Sequence, residues 1–172
     1  MKIEVNGREK NNDVFCWIAY EGSNERRIKM VLEEGYRCIV HINGKLEGDY
    51  INPGVYTIDT ERGANVIIYA FEKNIISCLF GIGEQDHILN AFGEYKVKVD
   101  IPNLFLSNLG RGKKQYNARD LRDYINPELP SALRGCKTIE EATEQLTYTI
   151  RTKLQGLGVS LISSKFEEIN FK

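Results

Sequence analysis

The feature that most limits what this chain can fold into is a change of period near Pro102. Before it, short β-branched and aromatic runs are separated by Gly, Asn and Pro; after it, apolar residues recur at helical spacing until a last strand-like run. Side chains on a strand alternate faces every second residue, whereas a helix returns to the same face after about 3.6 residues, so the two halves build different elements. Strands, then helices, then a closing strand predict an α+β fold. Its expected form is a mixed, mostly antiparallel, twisted sheet of short strands with C-terminal helices packed on it and a closing C-terminal strand.

Residues 13–20 and 28–32 read as the first strands. Residues 37–42 lead into Asn43-Gly44, a pair that tolerates positive φ and marks a two-residue hairpin, with 45–47 returning antiparallel. Asn52-Pro53-Gly54 suits a type II turn, Pro fixing one central φ and Gly accepting the positive one, ahead of a strand over 55–58. The run 66–71, the turn Glu72-Lys73-Asn74 and the run 75–80 predict a second hairpin whose strands are buried on both faces. In 94–101, Tyr95, Val97, Val99 and Ile101 share one face and Lys96, Lys98 and Asp100 the other, as a strand with one wet face requires.

Past Pro102, residues 103–109 predict a short helix ending at Gly110, and 117–125 a second helix stopped before Pro127. A further turn covers 128–133. Thr138 followed by Glu141 has the spacing of a capping box, and Ile139, Ala142, Thr143, Leu146, Ile150, Leu154 and Leu157 form the apolar stripe of the helix it opens. Gly156 and Gly158 stop that helix, and residues 159–171 read as the closing strand, bulged near Ser163-Ser164. No repeat, low-complexity block or linker divides the chain, so residues 1–172 are read as a single domain with 1–11 as a flexible lead-in.

Charge and composition narrow the function classes. Lys and Arg number 23 against 24 Asp and Glu, for a net charge of -1, which disfavours a protein whose affinity comes from neutralising many phosphates. Nucleic acid is therefore not an expected partner. The N-terminus has no apolar run of signal-peptide length, and no window approaches the roughly 20 apolar residues of a membrane span. The expected location is cytoplasmic, with any membrane contact peripheral at the inner face. Cys16, Cys38, Cys78 and Cys136 lie far apart without a CxxC, so they are expected to be reduced, buried thiols rather than a metal site.

Only His41 and His87 titrate near neutral pH. His41 stands three residues from Cys38, but an odd offset on a strand sends the two side chains to opposite faces, so the apparent dyad is not one. His41 is expected outside with Arg37. His87 sits in the polar turn Gly83-Glu84-Gln85-Asp86-His87 and offers, with Asp86 and Glu84, an arrangement that suits a small metal-dependent or His-dependent hydrolase, the other route to which is His41 with a partner brought by the fold. The densest charge lies between residues 111 and 122, where Arg111, Lys113, Lys114, Arg119 and Arg122 form a candidate anionic-partner surface. That stretch supports a second alternative, a module binding an anionic ligand or nucleic acid.

The order of landmarks adds a resemblance. Residues 32–46, with Asn43-Gly44-Lys45, then Pro53-Gly54-Val55-Tyr56-Thr57, resemble the N-terminal part of an SPFH (band 7, prohibitin-homology) domain. The chain is most similar in pattern to the soluble bacterial branch labelled virion-core-protein-like, with Trp17 in its opening strand. Residues 68–73, Phe80-Gly81, 93–99, 102–106 and Leu157-Gly158-Val159 keep the same sequence of landmarks, so the likeness spans 12–172. The connection after Thr60 is shorter than in that branch, and no zinc-ribbon or coiled-coil extension follows, so metal binding and coiled-coil assembly are not carried over. What the resemblance implies is a non-catalytic scaffold without cofactors that forms homo-oligomers and organises a protein partner or a membrane surface.

Overall fold

The structure, a computed structural model, describes residues 1–11, 13–109 and 113–172, and the change from strand to helix falls at Pro102 as the sequence requires. In chain order the strands are β1 (Lys2–Val5), β2 (Val14–Gly22), β3 (Arg27–Leu32), β4 (Tyr36–Ile42), β5 (Lys45–Tyr50), β6 (Gly54–Asp59), β7 (Val66–Glu72), β8 (Ile76–Ile82) and β9 (Ile88–Val99). Then come α1 (Pro102–Leu109), β10 (Gln115–Asn117), α2 (Ala118–Ile125), a 3-10 turn at Asn126–Glu128, α3 (Leu129–Leu133), α4 (Ile139–Gln155) and β11 (Val159–Phe171). The chain is α+β. It divides into two compact units, residues 1–74 with 113–117 and residues 75–109 with 118–172. No linker composition announces this division, because the chain leaves the first unit after Asn74 and re-enters it to add β10.

The first unit holds two sheets, one ordered β1-β3-β6 and the other β10-β2-β7-β4-β5. Ile28, Met30 and Leu32 alternate along β3 and are buried together with Val5 and Ile58 from their own sheet and Trp17, Cys38, Val40, Ile68 and Ala70 from the other. Each of the Val, Leu, Ile and Met side chains among them contributes about 1.5–3 kcal/mol by leaving water. The Asn-Gly hairpin forms as read: Asn43 has φ 51° and Gly44 φ 78°, and β4 and β5 pair antiparallel around them. Asn65 locks the turn, its amide donating to Asn43 Oδ1 at 2.9 Å while Asn43 N donates to Asn65 O at 2.8 Å.

Three expectations for this unit change. Residues 2–5 are not a flexible lead-in but strand β1, running parallel to β3 from Lys2↔Lys29 to Val5↔Leu32. Lys10 ties the same segment down through Glu72, Nζ to Oε1 2.6 Å, with the Lys10 side chain only 7% exposed. Gly54 does not take the positive φ of a type II turn; it opens β6 opposite Leu32. The run 66–71 does not hairpin onto 75–80, because β7 has both edges filled by β2 and β4, and β8 pairs with β9 in the second unit.

The second unit is one antiparallel sheet, ordered β11-β9-β8, with the helices on one face. β8 is not buried on both faces; Ile76, Cys78, Phe80 and Ile82 turn in while Ser77, Leu79 and Gly81 turn out. Along β9, Tyr95, Val97 and Val99 are buried as the alternation demands, and Ile101 falls beyond the strand and is exposed. Helix α4 packs Ala142, Leu146, Ile150 and Leu154 inward, leaving Ile139 and Thr143 at the solvent margin of the stripe. Its cap differs slightly from a reciprocal box: Thr138 Oγ1 accepts from Glu141 N at 3.2 Å, but the Glu141 carboxylate accepts from Lys137 N at 2.8 Å, one residue earlier. Gly158, at φ 67°, reverses the chain into β11, and register shifts at Leu161/Ser163 and Phe166/Glu168 leave Ile162 and Glu167 as bulged residues.

Candidate functional site

Catalysis needs convergent groups in usable protonation states. The two histidines stand in different units, His41 in the first and His87 in the second. His41 lies on the face of β4 opposite Cys38, as the odd offset requires, yet it is buried, 2% exposed, rather than in water with Arg37. Its ring meets Tyr69 edge-on at 5.4 Å, on a sheet face where Ile39 and Phe71 are buried as well. The expectation failed because β4 is an inner strand whose two faces are both covered, which alternation within one strand cannot reveal. Arg37 is half-buried and forks onto Asp49, Nε to Oδ1 at 2.8 Å and Nη2 to Oδ2 at 2.6 Å.

His87 is exposed, and its carbonyl accepts from Lys172 N at 2.9 Å. Its proposed co-ligand Glu84 is engaged by Lys172, whose hydrogen bond and charge hold the Glu84 carboxyl below the usual range. Among the described residues no three His, Cys, Asp or Glu side chains gather as a metal site needs. Burial holds the thiols in their protonated form. Burial pushes Cys38 up to about 12 and Cys78 to about 11, and raises Cys16 well above the ordinary range with help from the neighbouring Cys38. All four cysteines are free and buried.

Cys136 floors an open recess of about 340 Å3, lined by Ala132, Arg134, Gly135, Glu141 and Gln145. Desolvation and then the Glu141 charge raise this thiol too, so the recess presents a protonated sulfur beside a carboxylate already engaged by a backbone amide.

The four described cations of the 111–122 stretch, Lys113, Lys114, Arg119 and Arg122, are divided between the two units. Arg111 lies outside the described residues. Lys113 and Lys114 are exposed in the first unit, with Lys113 Nζ 5.6 Å from the Tyr116 ring centre. Arg119 and Arg122 stand on α2 in the second. Arg119 is exposed and sits 3.9 Å from Asp123. Arg122 is half-buried and faces Cys78 and Tyr95, where its charge favours their ionised forms; its Nε is buried with no hydrogen-bond partner among the described residues. It is not a fully displayed surface cation.

The most structured polar feature was not visible in the sequence. Tyr95, fully buried, donates its hydroxyl to Asn126 Oδ1 at 2.9 Å, and Asn126 Nδ2 donates in turn to the carbonyl of Leu79 at 3.1 Å. Leu79 is the middle residue of β8, an outer strand of the sheet. A side-chain amide thus occupies that edge where a foreign strand would bind, one way natural sheets block edge-to-edge pairing. The opposite outer strand, β11, is 13 residues long. Among the described residues no strand pairs with its second edge.

No protein-family model and no curated protein matches the chain. Among the described residues, no helix is long and apolar enough to cross a membrane.

Proposed function

We propose that this chain is a non-catalytic scaffolding and assembly domain that self-associates and organises a protein partner or a membrane surface, in the manner of the SPFH domains its motif order resembles. The observation that carries it is the unequal treatment of the two outer strands in the second unit: Asn126 covers β8, whereas the longer β11 carries no such cover among the described residues. Main-chain groups along an open edge are a template for another strand. Support also comes from the chemistry of the interior, where buried thiols are held protonated and His41 is packed against Tyr69.

Exposed Lys113 and Lys114 of the first unit supply charge for an anionic surface, at about 1 kcal/mol each near a membrane. Light scattering over a range of concentrations, with flotation on anionic and on neutral vesicles, tests the proposal. Mass that grows with concentration, or salt-sensitive flotation with anionic vesicles alone, is expected. A monomer at every concentration that ignores both vesicle types would overturn it.

A further inference from the structure

The chain contains two Asn-Gly steps, Asn6-Gly7 and Asn43-Gly44, and both lie in the first unit. A glycine after asparagine leaves the next main-chain nitrogen unhindered, so that it can attack the side-chain amide carbon. The fold treats the two steps differently. At Asn43 the reaction is shut off. Its φ of 51° and the 78° of Gly44 are those of a type I′ turn, in which ψ at the first position is about +30°. The Gly44 nitrogen then stands opposite Cβ across the Cα–C bond. Asn43 Oδ1 is also drawn off to Asn65 N, 2.9 Å away and 22 residues further on. Ring closure there requires the β4–β5 hairpin to open first. Asn6 is folded the other way. Its Oδ1 accepts from Arg8 N at 3.1 Å, closing a ring that passes through Gly7, so the amide carbon lies over the Gly7 peptide. The same bond draws electrons from the carbon that must be attacked. Gly7 N makes no hydrogen bond among the described residues. The segment is tied in place: Glu33 N donates to Val5 O at 3.1 Å, Lys10 N to Gly7 O at 3.5 Å, and Tyr36 stands where a Cβ at residue 7 would.

We infer that Asn6 is a site of spontaneous covalent modification in the folded chain, and that Asn43, in the same dipeptide, is kept intact by its hairpin. Gly7 N bonds to Asn6 Cγ, the Cγ–Nδ2 bond breaks, and the Gly7 proton passes through water to Nδ2, which leaves as ammonia. Water then opens the cyclic imide. Addition at Cγ gives an aspartyl residue; addition at the main-chain carbonyl gives an isoaspartyl link, whose main chain is one methylene longer. Water is the only co-reactant, and nothing is oxidised or reduced. Either product places a new carboxylate just beyond the end of β1. The isoaspartyl form also lengthens the connection between β1 and the Lys10–Glu72 ion pair, so β1 is the element on which the modification acts.

The experiment ages the full-length chain at mildly alkaline pH, folded and in urea. Each sample is then digested, and conversion of amide to acid at each Asn-Gly step is followed by mass spectrometry, with the isoaspartyl peptide separated by chromatography. In the folded chain, conversion at Asn6 is expected to run about tenfold faster than at Asn43 or more, since Asn43 reacts only in the fraction of molecules whose hairpin has opened. In urea the two steps are expected to convert at similar rates, because neither side chain is then held. A preference for Asn6 that persists undiminished in urea belongs to the neighbouring sequence and overturns the inference. Equal conversion at the two steps in the folded chain, faster conversion at Asn43, or an Asn6 that stays unconverted while folded overturns it as well.

Discussion

Tyr95 and Asn126, 31 residues apart in sequence, share a 2.9 Å hydrogen bond beneath the sheet of the second unit. The bond has two consequences. It satisfies a buried phenol, and it orients the Asn126 amide so that its Nδ2 reaches the Leu79 carbonyl on the edge of β8. Asn126→Ala removes both at once. Losing these two bonds is expected to cost about 1–2 kcal/mol in urea unfolding, since the Cys78 thiol remains a partner for the Tyr95 hydroxyl. Tyr95→Phe removes the donor along with its need for a partner and should cost less. Equal midpoints for wild type and Asn126→Ala would show that the link contributes nothing.

Gly93 lies between Phe80 and Phe166, whose rings meet edge to face at 5.7 Å across it. A methyl group at 93 would run into the Lys165 carbonyl and the Phe80 ring, so the missing side chain is what lets β11 close on β9. Gly93→Ala is expected to cost about 1–3 kcal/mol, the usual penalty of overpacking. Gly81→Ala on β8 meets nothing within 4 Å and serves as the control. It should unfold at the wild-type midpoint or slightly above, and a Gly93 variant matching it would remove the close approach as a constraint.

Lys10 and Glu72 hold the N-terminal segment to the end of β7 at 2.6 Å, with side chains 7% and 21% exposed. Glu72→Ala leaves the Lys10 ammonium without its carboxylate partner, with the Asn11 carbonyl at 3.3 Å as its remaining acceptor. A fully buried pair broken in this way costs about 3–5 kcal/mol and an exposed one at most about 1, so about 2 kcal/mol is expected here. Lys10→Met keeps the buried stem and should be milder. Hydrogen exchange should show residues 2–11 losing protection first in Glu72→Ala; unchanged protection there would contradict the anchoring role.

What the sequence makes legible depends on how far apart the interacting residues lie. Asn43-Gly44 fixes its hairpin because both positive φ values belong to adjacent residues, and Thr138 caps α4 through a partner three residues away. The face of His41 follows from parity on β4, but its burial does not, since that depends on elements elsewhere in the chain. Phe166 is read as a residue of the closing strand and Gly93 falls just ahead of the strand over 94–101, and nothing local says that one fits against the other. Asn126 falls where the helix over 117–125 stops before Pro127; its contact with Leu79 spans 47 positions and has no signature in either segment. The 111–122 charge was legible as charge, while its division between two units arises from the path of the chain.

The thiols make stability depend on alkaline pH. Burial raises Cys38 to about 12 and Cys78 to about 11 in the folded chain, whereas an unfolded thiol titrates near about 8.5. Below about pH 8.5 both states hold the proton and these groups add no pH dependence. Above it the unfolded state loses protons that the folded state keeps, so the proton count favours unfolding as pH rises. Each of the two thiols should lower the unfolding free energy by about 1.4 kcal/mol per pH unit from about pH 9 until its folded value is reached. Urea midpoints measured between pH 7 and 10.5 should therefore be flat at first and then fall. Cys38→Ala loses packing at every pH but should make the alkaline slope shallower by one thiol's share. A slope identical to wild type in that variant would mean that Cys38 is not held protonated in the folded chain.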